Sequence, residues 1–397
     1  MRTMPAENVS SRRGAIAPLT CVMLVFLLGM VAFAVDLSWI VLTKSELQNA
    51  ADSAALAGAG RLGENFVLYN LPNQTATTKT NLMSAAVAEA KTYATTFASL
   101  NSAGAVNNLT LLAADIDVGF TSSSGVFTSY TSDNTKYPNT VNVTMRRDAS
   151  ANTSLGLFFA PVFGISKTDV TATASSTLYT SVIDSYKVGS VNSGMLPVTF
   201  DVNDWNEFIK SGQDSNGTTN KDSSGYPVLE VYPSIKDKGN FGLLSLNDSH
   251  VGANTISGWI NNGVPSSDIQ TLIFNGLIPL SKHTSAWDWQ GENGFKASNV
   301  MDINAYVGKI FVLPLFTPKD PSTTSYSAGK GQGSNYNYNI VQFVGVKIMQ
   351  APSNNKQVWI QPAAISDPNM ILTTASTVPL GTSSTFSTII VPAKLTN

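Results

Sequence analysis

The side chains that most often perform catalysis are scarce in this sequence of 397 residues. It contains two histidines, His250 and His283, which lie far apart without companion cysteines, and this is a poor pattern for a metal site. No nucleophile elbow, HExxH, P-loop or dinucleotide-binding motif is present, and the glycine-rich run 329–335 lacks the Lys-Ser/Thr ending of a P-loop. We therefore expect no catalytic residue, no metal ligand and no cofactor, and the chain is predicted not to be an enzyme.

Oxygen-bearing side chains alternate along 214–222, as they do in a calcium-binding loop. The run lacks the glycine at the sixth position and the glutamate at the twelfth position that such a loop uses. A solvated loop is therefore the favoured interpretation of this segment.

Three tryptophans, Trp259, Trp287 and Trp289, could form an aromatic platform that stacks on a sugar ring. The alternative is that these side chains fill a β-rich core. The stacking hypothesis keeps open a membrane-anchored surface-binding or carbohydrate-binding module. A further alternative is a secreted hydrolase that uses acidic residues scattered through 182–397, and two carboxylates about 5–10 Å apart in a cleft would indicate it.

Charged residues are sparse, and the chain has no basic character. Asp, Glu, Lys and Arg make up 13% of the residues, and the formal net charge is −2. A surface of this kind does not suit a phosphate backbone, so nucleic acid is not an expected partner. Because Cys21 is the only cysteine, no disulfide can form within the chain.

An uncharged run, 14–35, is long enough to cross a membrane. As a helix it would be roughly 33 Å long, and the hydrocarbon core of a bilayer is about 30 Å thick. A buried core helix seldom has so long an uncharged run, and a cleaved secretory signal usually has an apolar region of only about 7–15 residues. We interpret the run as a retained transmembrane helix, with membrane lipid as its partner.

The charges that flank this run predict its orientation. Arg12 and Arg13 precede it, and Asp36 follows it directly. Because positive charge is retained on the cytoplasmic side, 1–13 is predicted to be a cytoplasmic tail and 36–397 to be extracytoplasmic. The chain is thus expected to cross the cytoplasmic (inner) membrane once, with its N-terminus inside.

The helical pattern continues beyond the membrane, over 36–62. Apolar and small residues recur every three or four positions, and no proline lies between Pro18 and Pro72. We predict one helix from about residue 15 to about residue 60, followed by a polar loop over 63–78. Small side chains spaced by four let a second helix approach closely, and the alternative is packing against the chain's own head. The candidate helix-association residues are Leu47, Ala50, Ala51, Ala54, Ala55 and Gly58.

Three strings in this region carry a family resemblance: RRGAIAP before the apolar run, VDLSW at its exit, and LQNAADSAALAGA over 47–59. They resemble the N-terminal segment of Tad (Flp pilus-assembly TadE/TadG-like) proteins. The resemblance implies a structural or accessory component of Flp pilus assembly that contacts envelope or pilus-assembly proteins and self-associates through its N-terminal helix. Type IV-like pilins carry Glu five residues beyond the glycine at which their leader is removed. Counted from Gly14, that position is Leu19, which favours a retained accessory protein over a fibre subunit.

The residues after the long helix predict a pilin-like head, 63–180. An Ala-rich stripe over 79–100 indicates a second helix, and alternation of apolar and polar residues indicates antiparallel strands around Ile116, Val141 and Val170. A hairpin partner is predicted over 126–131. The connection 154–165 is too apolar for an ordinary loop, and we predict a short helix or a buried connection there.

The rest of the chain, 181–397, is predicted to be a β-rich extracytoplasmic domain, so that the fold class is α+β. Its predicted strands are 196–202, 228–232, 310–316, 340–349, 358–361 and 386–391, and its predicted helices are 204–211, 255–262 and 267–275.

Overall fold

The structure is a computed structural model, and everything said below of structure concerns the residues that it describes. These residues are 16–131, 136–180, 183–187, 194–214, 216–232, 241–246, 251–265, 268, 277–279, 289–292, 297–317, 337–350, 357–365, 370–372, 378–379 and 390–396. The tail 1–13 with Arg12 and Arg13, both histidines, Trp287 and the glycine-rich run 329–335 lie outside them.

The first helix is longer than the sequence predicted. Helix α1 is Ile16–Asn70, a single helix of 55 residues, so the predicted loop over 63–78 is wrong for its first half. The helix ends where Leu71 precedes Pro72, because a residue before proline avoids the helical region of backbone space. A short turn follows, and the hydroxyl Oγ1 of Thr75 then accepts the N–H of Thr78 at 3.1 Å, which caps the start of the second helix.

Four more helices and a large set of strands follow α1 in the described residues. The helices are α2 Ala76–Ser99, α3 Val202–Ser211, α4 Ala253–Asn262 and α5 Ala297–Asn304. The strands are β1 Ser102–Ala103, β2 Val106–Asn107, β3 Ile116–Thr121, β4 Phe127–Ser129, β5 Thr140–Arg147, β6 Leu155–Gly156, β7 Lys167–Thr168, β8 Val170–Thr180, β9 Ile183–Lys187, β10 Val198–Asp201, β11 Asn220–Lys221, β12 Pro227–Tyr232, β13 Phe241–Leu244, β14 Leu277–Pro279, β15 Trp289–Glu292, β16 Ile310–Phe316, β17 Asn337–Tyr338, β18 Ile340–Gln350, β19 Val358–Pro362, β20 Met370–Leu372, β21 Val378–Pro379 and β22 Ile390–Leu395. The α+β fold class is confirmed.

The strands predicted for the head form one sheet. Its order is β21-β8-β5-β3-β4, and β22 also pairs with β8. Along β5 the apolar side chains of Val141, Val143 and Met145 are buried while the residues between them are half-buried, which is the alternation that the sequence predicted. Strand β22 joins this sheet antiparallel to β8, with Val391 opposite Tyr179, although it belongs in sequence to the predicted C-terminal domain.

The C-terminal region is built on a nine-stranded sheet. Its order is β11-β12-β19-β18-β16-β10-β13-β15-β17, and β10 runs parallel to β16 while its other neighbour, β13, is antiparallel. Helices α3 and α4 bury aromatic side chains in the adjoining core, where Phe208 and Trp259 are almost fully buried. Helix α5 was not predicted, and the predicted helix over 267–275 falls almost wholly outside the described residues.

The connection 154–165 differs from its prediction. It contains a 3-10 helix, Ala160–Phe163, so a short helix was expected correctly, but none of the residues of that helix is buried. The alternative of a buried connection does not hold for 158–165, where the large apolar side chains are exposed, although Leu155 at the start of the segment is buried. These residues belong to the first of two compact units into which the chain divides, 1–54 with 95–116 and 143–174; the second comprises 55–94, 117–142 and 175–397.

Candidate functional site

The membrane run is a bare apolar helix surface. Helix α1 is long and apolar enough to cross a membrane, judged by length and composition, and none of the residues in its most apolar window is buried. Its large side chains are exposed from Leu19 to Val35. A core helix would cover such residues with other parts of the chain, so the core-helix alternative does not hold here. The predicted membrane-flanking residue Asp36 follows the last exposed residue of the run.

The carboxylate of Asp36 is held by the backbone of the connection 154–165. Its oxygens accept the N–H of Phe158 at 2.7 Å, of Phe159 at 3.0 Å and of Ala160 at 2.6 Å. The N-terminus of the 3-10 helix therefore carries the negative charge that such an end favours. Burial acts to raise the pKa of Asp36, but these three N–H groups favour the charged form and hold the pKa below its ordinary value.

Aromatic packing supports the same junction. The rings of Trp39 and Phe158 lie with their centroids 5.7 Å apart and their planes at 57°. Together with Asp36, this contact joins α1, directly beyond the apolar run, to a segment more than a hundred residues later. The sequence marked Asp36 only as a charge that ends the run, and nothing in the sequence indicated its partner.

All six candidate helix-association residues are buried within the chain itself. Leu47, Ala50, Ala51, Ala54 and Ala55 are fully buried, and Gly58 is buried as well. A Cβ atom added to Gly58 would lie 2.9 Å from the backbone oxygen of Ala90 and 3.3 Å from the Cβ of Ala94 on α2. This observation favours the alternative in which the small residues pack against the chain's own head, and association with a second helix through them stays a prediction.

Helix α2 also carries small buried residues where it packs against α1. Its side toward the interior consists of alanines spaced by four that are fully buried, namely Ala86, Ala90, Ala94 and Ala98. Around the Gly58 contact, the guanidinium of Arg61 lies 3.7 Å from the ring centroid of Tyr93 and donates to its hydroxyl. Small residues on both helices allow this close antiparallel pairing, with polar and aromatic contacts at its margin.

Two polar side chains that the sequence analysis missed, the half-buried Glu46 and the buried Arg147, hold the backbone of the loop at 103–104. Glu46 accepts the N–H of Gly104 at 2.7 Å, and Arg147 donates to the carbonyl oxygens of Ala103 and Gly104. Burial lowers the pKa of Arg147, while the charge of Glu46 acts in the opposite sense. We call the candidate helix-association residues from Leu47 to Gly58 the small-residue strip. Glu46 lies next to Leu47, at the start of this strip, so the loop that Glu46 holds covers α1 at that point.

Tyr137 is a further residue that the sequence analysis missed, and its side chain is buried. Its hydroxyl donates to the carbonyl oxygen of Leu62 at 2.7 Å, and its ring contacts Phe66 and Tyr69 with centroid distances of 5.3 and 5.1 Å. Burial raises the pKa of Tyr137 well above its usual value, so the side chain stays a neutral donor. Tyr137 therefore fixes the last turns of α1 to the segment that precedes β5.

The candidates for chemistry do not assemble into a catalytic site in the described residues. Asp214 accepts the N–H groups of Asn216 and Thr218, both at 2.9 Å, so its carboxylate organises a turn. Trp259 and Trp289 are both buried in the core, which removes two of the three side chains from the stacking hypothesis. No cluster of metal-ligating side chains occurs in the part of the chain that the structure describes.

An open cleft lies between the α1–α2 turn and the β11–β12 hairpin. Its lining is made of hydroxyls, amides and one lysine, and includes Asn73, Thr75, Thr219, Lys221 and Tyr226. Among the described residues, neither a carboxylate nor a histidine, the side chains that most often act as general acid or base, lines this cleft.

The sequence of α1 also matches a known family. The Tad family model, described as Flp pilus-assembly TadE/G-like, matches residues 14–61. We call residues 14–61, which match this model, the Tad segment. The match confirms the resemblance seen in 47–59, and the Tad segment includes the apolar run, Asp36 and the whole small-residue strip. No curated protein and no solved structure matches this chain.

The Tad segment and the exposed apolar part of α1 both support membrane anchoring. The model that residues 14–61 match is one of Flp pilus assembly, and this likeness suggests involvement of the chain in that process. A single N-terminal helix that could cross a bilayer, inside that same segment, indicates single-pass membrane anchoring.

Proposed function

We propose that the chain is a structural accessory component of Flp (Tad) pilus assembly. Residues 14–35 anchor it in the cytoplasmic membrane, and its N-terminus lies inside. Residues 36–397, which we call the body, lie outside, where they contact envelope or pilus-assembly proteins. The observation that carries this proposal is that the Tad segment lies on one unbroken helix, α1, which leads from the membrane run into the folded body.

The length of α1 suits a support that carries a body away from the membrane. Beyond Asp36 the helix continues for 34 residues to Asn70, which is about 50 Å at 1.5 Å per residue. Burial of the strip from Leu47 to Gly58 supports a mechanical role, because a helix packed into the body transmits force without fraying.

An accessory role is favoured over a fibre subunit by Leu19. Type IV-like pilins carry Glu five residues beyond the glycine at which their leader is removed, and here that position, counted from Gly14, is an apolar residue with 64% of its surface exposed. Without that carboxylate, the chain lacks the feature associated with assembly into a fibre. We therefore propose that the anchor is retained and that prepilin-type processing does not occur.

A non-enzymatic role is part of the proposal. In the described part of the chain, no histidine or carboxylate lines the polar cleft, and Asp214 is engaged by backbone N–H groups. The carbohydrate-binding alternative gains no specific observation, because Trp259 and Trp289 are buried. The hydrolase alternative gains none either, because the described lining of the cleft holds no pair of carboxylates.

The experiment is deletion of the gene in its native host, followed by a count of surface Flp pili in electron micrographs. We expect loss of pili, recovery with the full chain, and no recovery with a chain whose residues 1–35 are replaced by a cleavable secretory signal. Unchanged pili after deletion would contradict the role in assembly. Recovery with the released body would contradict the need for an anchor.

A further inference from the structure

The connection 154–165 exposes an unusual amount of apolar surface for a folded region. Phe158 and Phe159 are 62% and 45% exposed, and Val162, Phe163 and Ile165 are 83%, 81% and 57% exposed. Adjacent exposed apolar residues of this kind mark a contact surface in most proteins. We call these five residues the apolar loop.

The position of the apolar loop is fixed relative to the membrane run. Asp36 is the first residue after the uncharged run 14–35, and its carboxylate binds the N–H groups of Phe158, Phe159 and Ala160. A helix of that length is roughly 33 Å, and the hydrocarbon core is about 30 Å thick, so Asp36 lies at the edge of the core. The loop bound to it lies at the same level.

We propose that the apolar loop is a second membrane contact, which inserts its side chains into the headgroup and acyl-chain boundary of the bilayer that 14–35 spans. This inference rests on the proposed anchoring of the chain. Its occupant is lipid because the loop continues a surface that already faces lipid: the apolar run stops at Val35, and Leu37 and Val41 extend the exposed apolar surface one to two turns further.

The charges around the loop fit a lipid interface. No charged residue occurs in 149–166, and the next one, Lys167, is exposed. A lysine at this place can keep its ammonium among lipid phosphates while the neighbouring apolar side chains enter the acyl region. Aromatic side chains such as Trp39, which packs at an angle against Phe158, are enriched at this depth of a membrane.

A second contact changes how the anchor behaves. The tilt and rotation of a transmembrane helix are set by packing against neighbours and by anchors at the membrane interface. A lone helix without such contacts is therefore not held in one orientation. The apolar loop, joined to α1 through Asp36 and Trp39, would hold one face of α1 toward the lipid surface.

The test uses the full chain in vesicles of phosphatidylethanolamine and phosphatidylglycerol, with an environment-sensitive fluorophore on one cysteine. In a Cys21→Ala background, the probe is placed at Phe163→Cys or, as a control, at Val126→Cys, an exposed position in the β3–β4 turn. Lipids that carry a nitroxide near the glycerol end of an acyl chain serve as quenchers. We expect loss of fluorescence at position 163 and none at position 126.

The native Cys21, labelled in the otherwise unchanged chain, reports on the anchor. Quenching at Cys21 without quenching at 163 would overturn the inference about the loop and leave the anchor standing. Absence of quenching at Cys21 would instead contradict the anchoring itself. A probe at 163 that is shielded from water but not quenched by lipid would show that protein covers the loop, which also overturns the inference.

A second variant tests whether the apolar side chains drive insertion. The probe is moved to Val162→Cys, and Phe159→Ser with Phe163→Ser is added. Because both phenylalanines are exposed, these changes leave the core intact. We expect the lipid quenching at position 162 to fall to the level seen at position 126, and quenching that persists unchanged would overturn the inference.

Discussion

Gly58 of α1 and Ala90 of α2 lie in close contact, and a Cβ atom added to Gly58 would lie 2.9 Å from the backbone oxygen of Ala90. A glycine in a helix interior costs about 1 kcal/mol relative to alanine. The contact with Ala90 explains why the cost is tolerated, because only a residue without Cβ lets the two helix backbones approach this closely.

The substitution Gly58→Ala therefore sets the gain in helix propensity against the loss of the close contact with Ala90. We expect a net loss of about 1–2 kcal/mol in the free energy of unfolding, because overpacking at a backbone contact outweighs the gain in helix propensity. The matched control is Gly60→Ala on the same helix, where a Cβ would meet nothing within 4 Å. That variant should gain about 0.5–1 kcal/mol. Denaturant unfolding of the full chain in micelles, followed by circular dichroism, measures both, and a Gly58→Ala variant as stable as wild type would contradict the contact.

Ala54→Leu tests what the small-residue strip binds. Ala54 is fully buried, whereas Ala57 is half-buried on another side of α1. In nanodiscs that hold one copy, we expect Ala54→Leu to lower the free energy of unfolding by about 1–3 kcal/mol and Ala57→Leu to change it little. Membrane cross-linking of the same variants measures association. Unchanged stability of Ala54→Leu together with a lower cross-linking yield would assign the strip to contacts between chains.

Tyr137→Phe removes one hydroxyl without changing the shape of the aromatic cluster. We expect a loss of about 1 kcal/mol, because the hydrogen bond to the carbonyl oxygen of Leu62 disappears from an enclosed site. Tyr130→Phe is the control, since its hydroxyl meets Ser84 at 3.1 Å in an exposed place and should matter by less than about 0.5 kcal/mol. Thermal unfolding of the full chain compares the two, and equal melting temperatures would argue against the role given to Tyr137.

The α+β class, the strands of the head and the long helix could be predicted because they depend on local periodicity. The end of α1 could not, since a polar loop was predicted from residue 63 while burial of Leu62, Phe66 and Val67 keeps the helix intact to Asn70. Tertiary packing outweighed propensity there. No sequence pattern pairs β22 with β8 across some two hundred residues, because strand pairing at that separation depends on the whole fold.

The candidate site was predicted in its residues but not in its contacts. The strip from Leu47 to Gly58 was found from its spacing, yet spacing alone does not distinguish a partner helix from α2. The bond between Asp36 and the connection 154–165 left no sequence signal, because the donors are backbone N–H groups that every residue type except proline carries.

The contact of Asp36 with the connection should depend on pH. The pKa of Asp36 is lowered in the folded chain, so its contribution to stability is present above the unfolded pKa of about 3.9 and is lost as pH falls through the lower folded value. Hydrogen exchange of the amides of Phe158 and Ala160, corrected for intrinsic rates, should be protected at neutral pH and unprotected below that window. Asp36→Asn should be unprotected at neutral pH, and Asp117→Asn should behave as wild type. Protection that persists in Asp36→Asn would contradict this contact.

The central claim is that 14–35 remains in the chain as a membrane anchor with the body outside. A reporter that is enzymatically active only outside the cytoplasm, fused after Asn397, tests it directly when combined with the intact mass of the chain extracted from alkali-washed membranes. We predict an active reporter and a membrane-bound chain that retains 14–35. A soluble chain that begins after Val35, or a reporter that is inactive although the fusion is intact, would contradict the account.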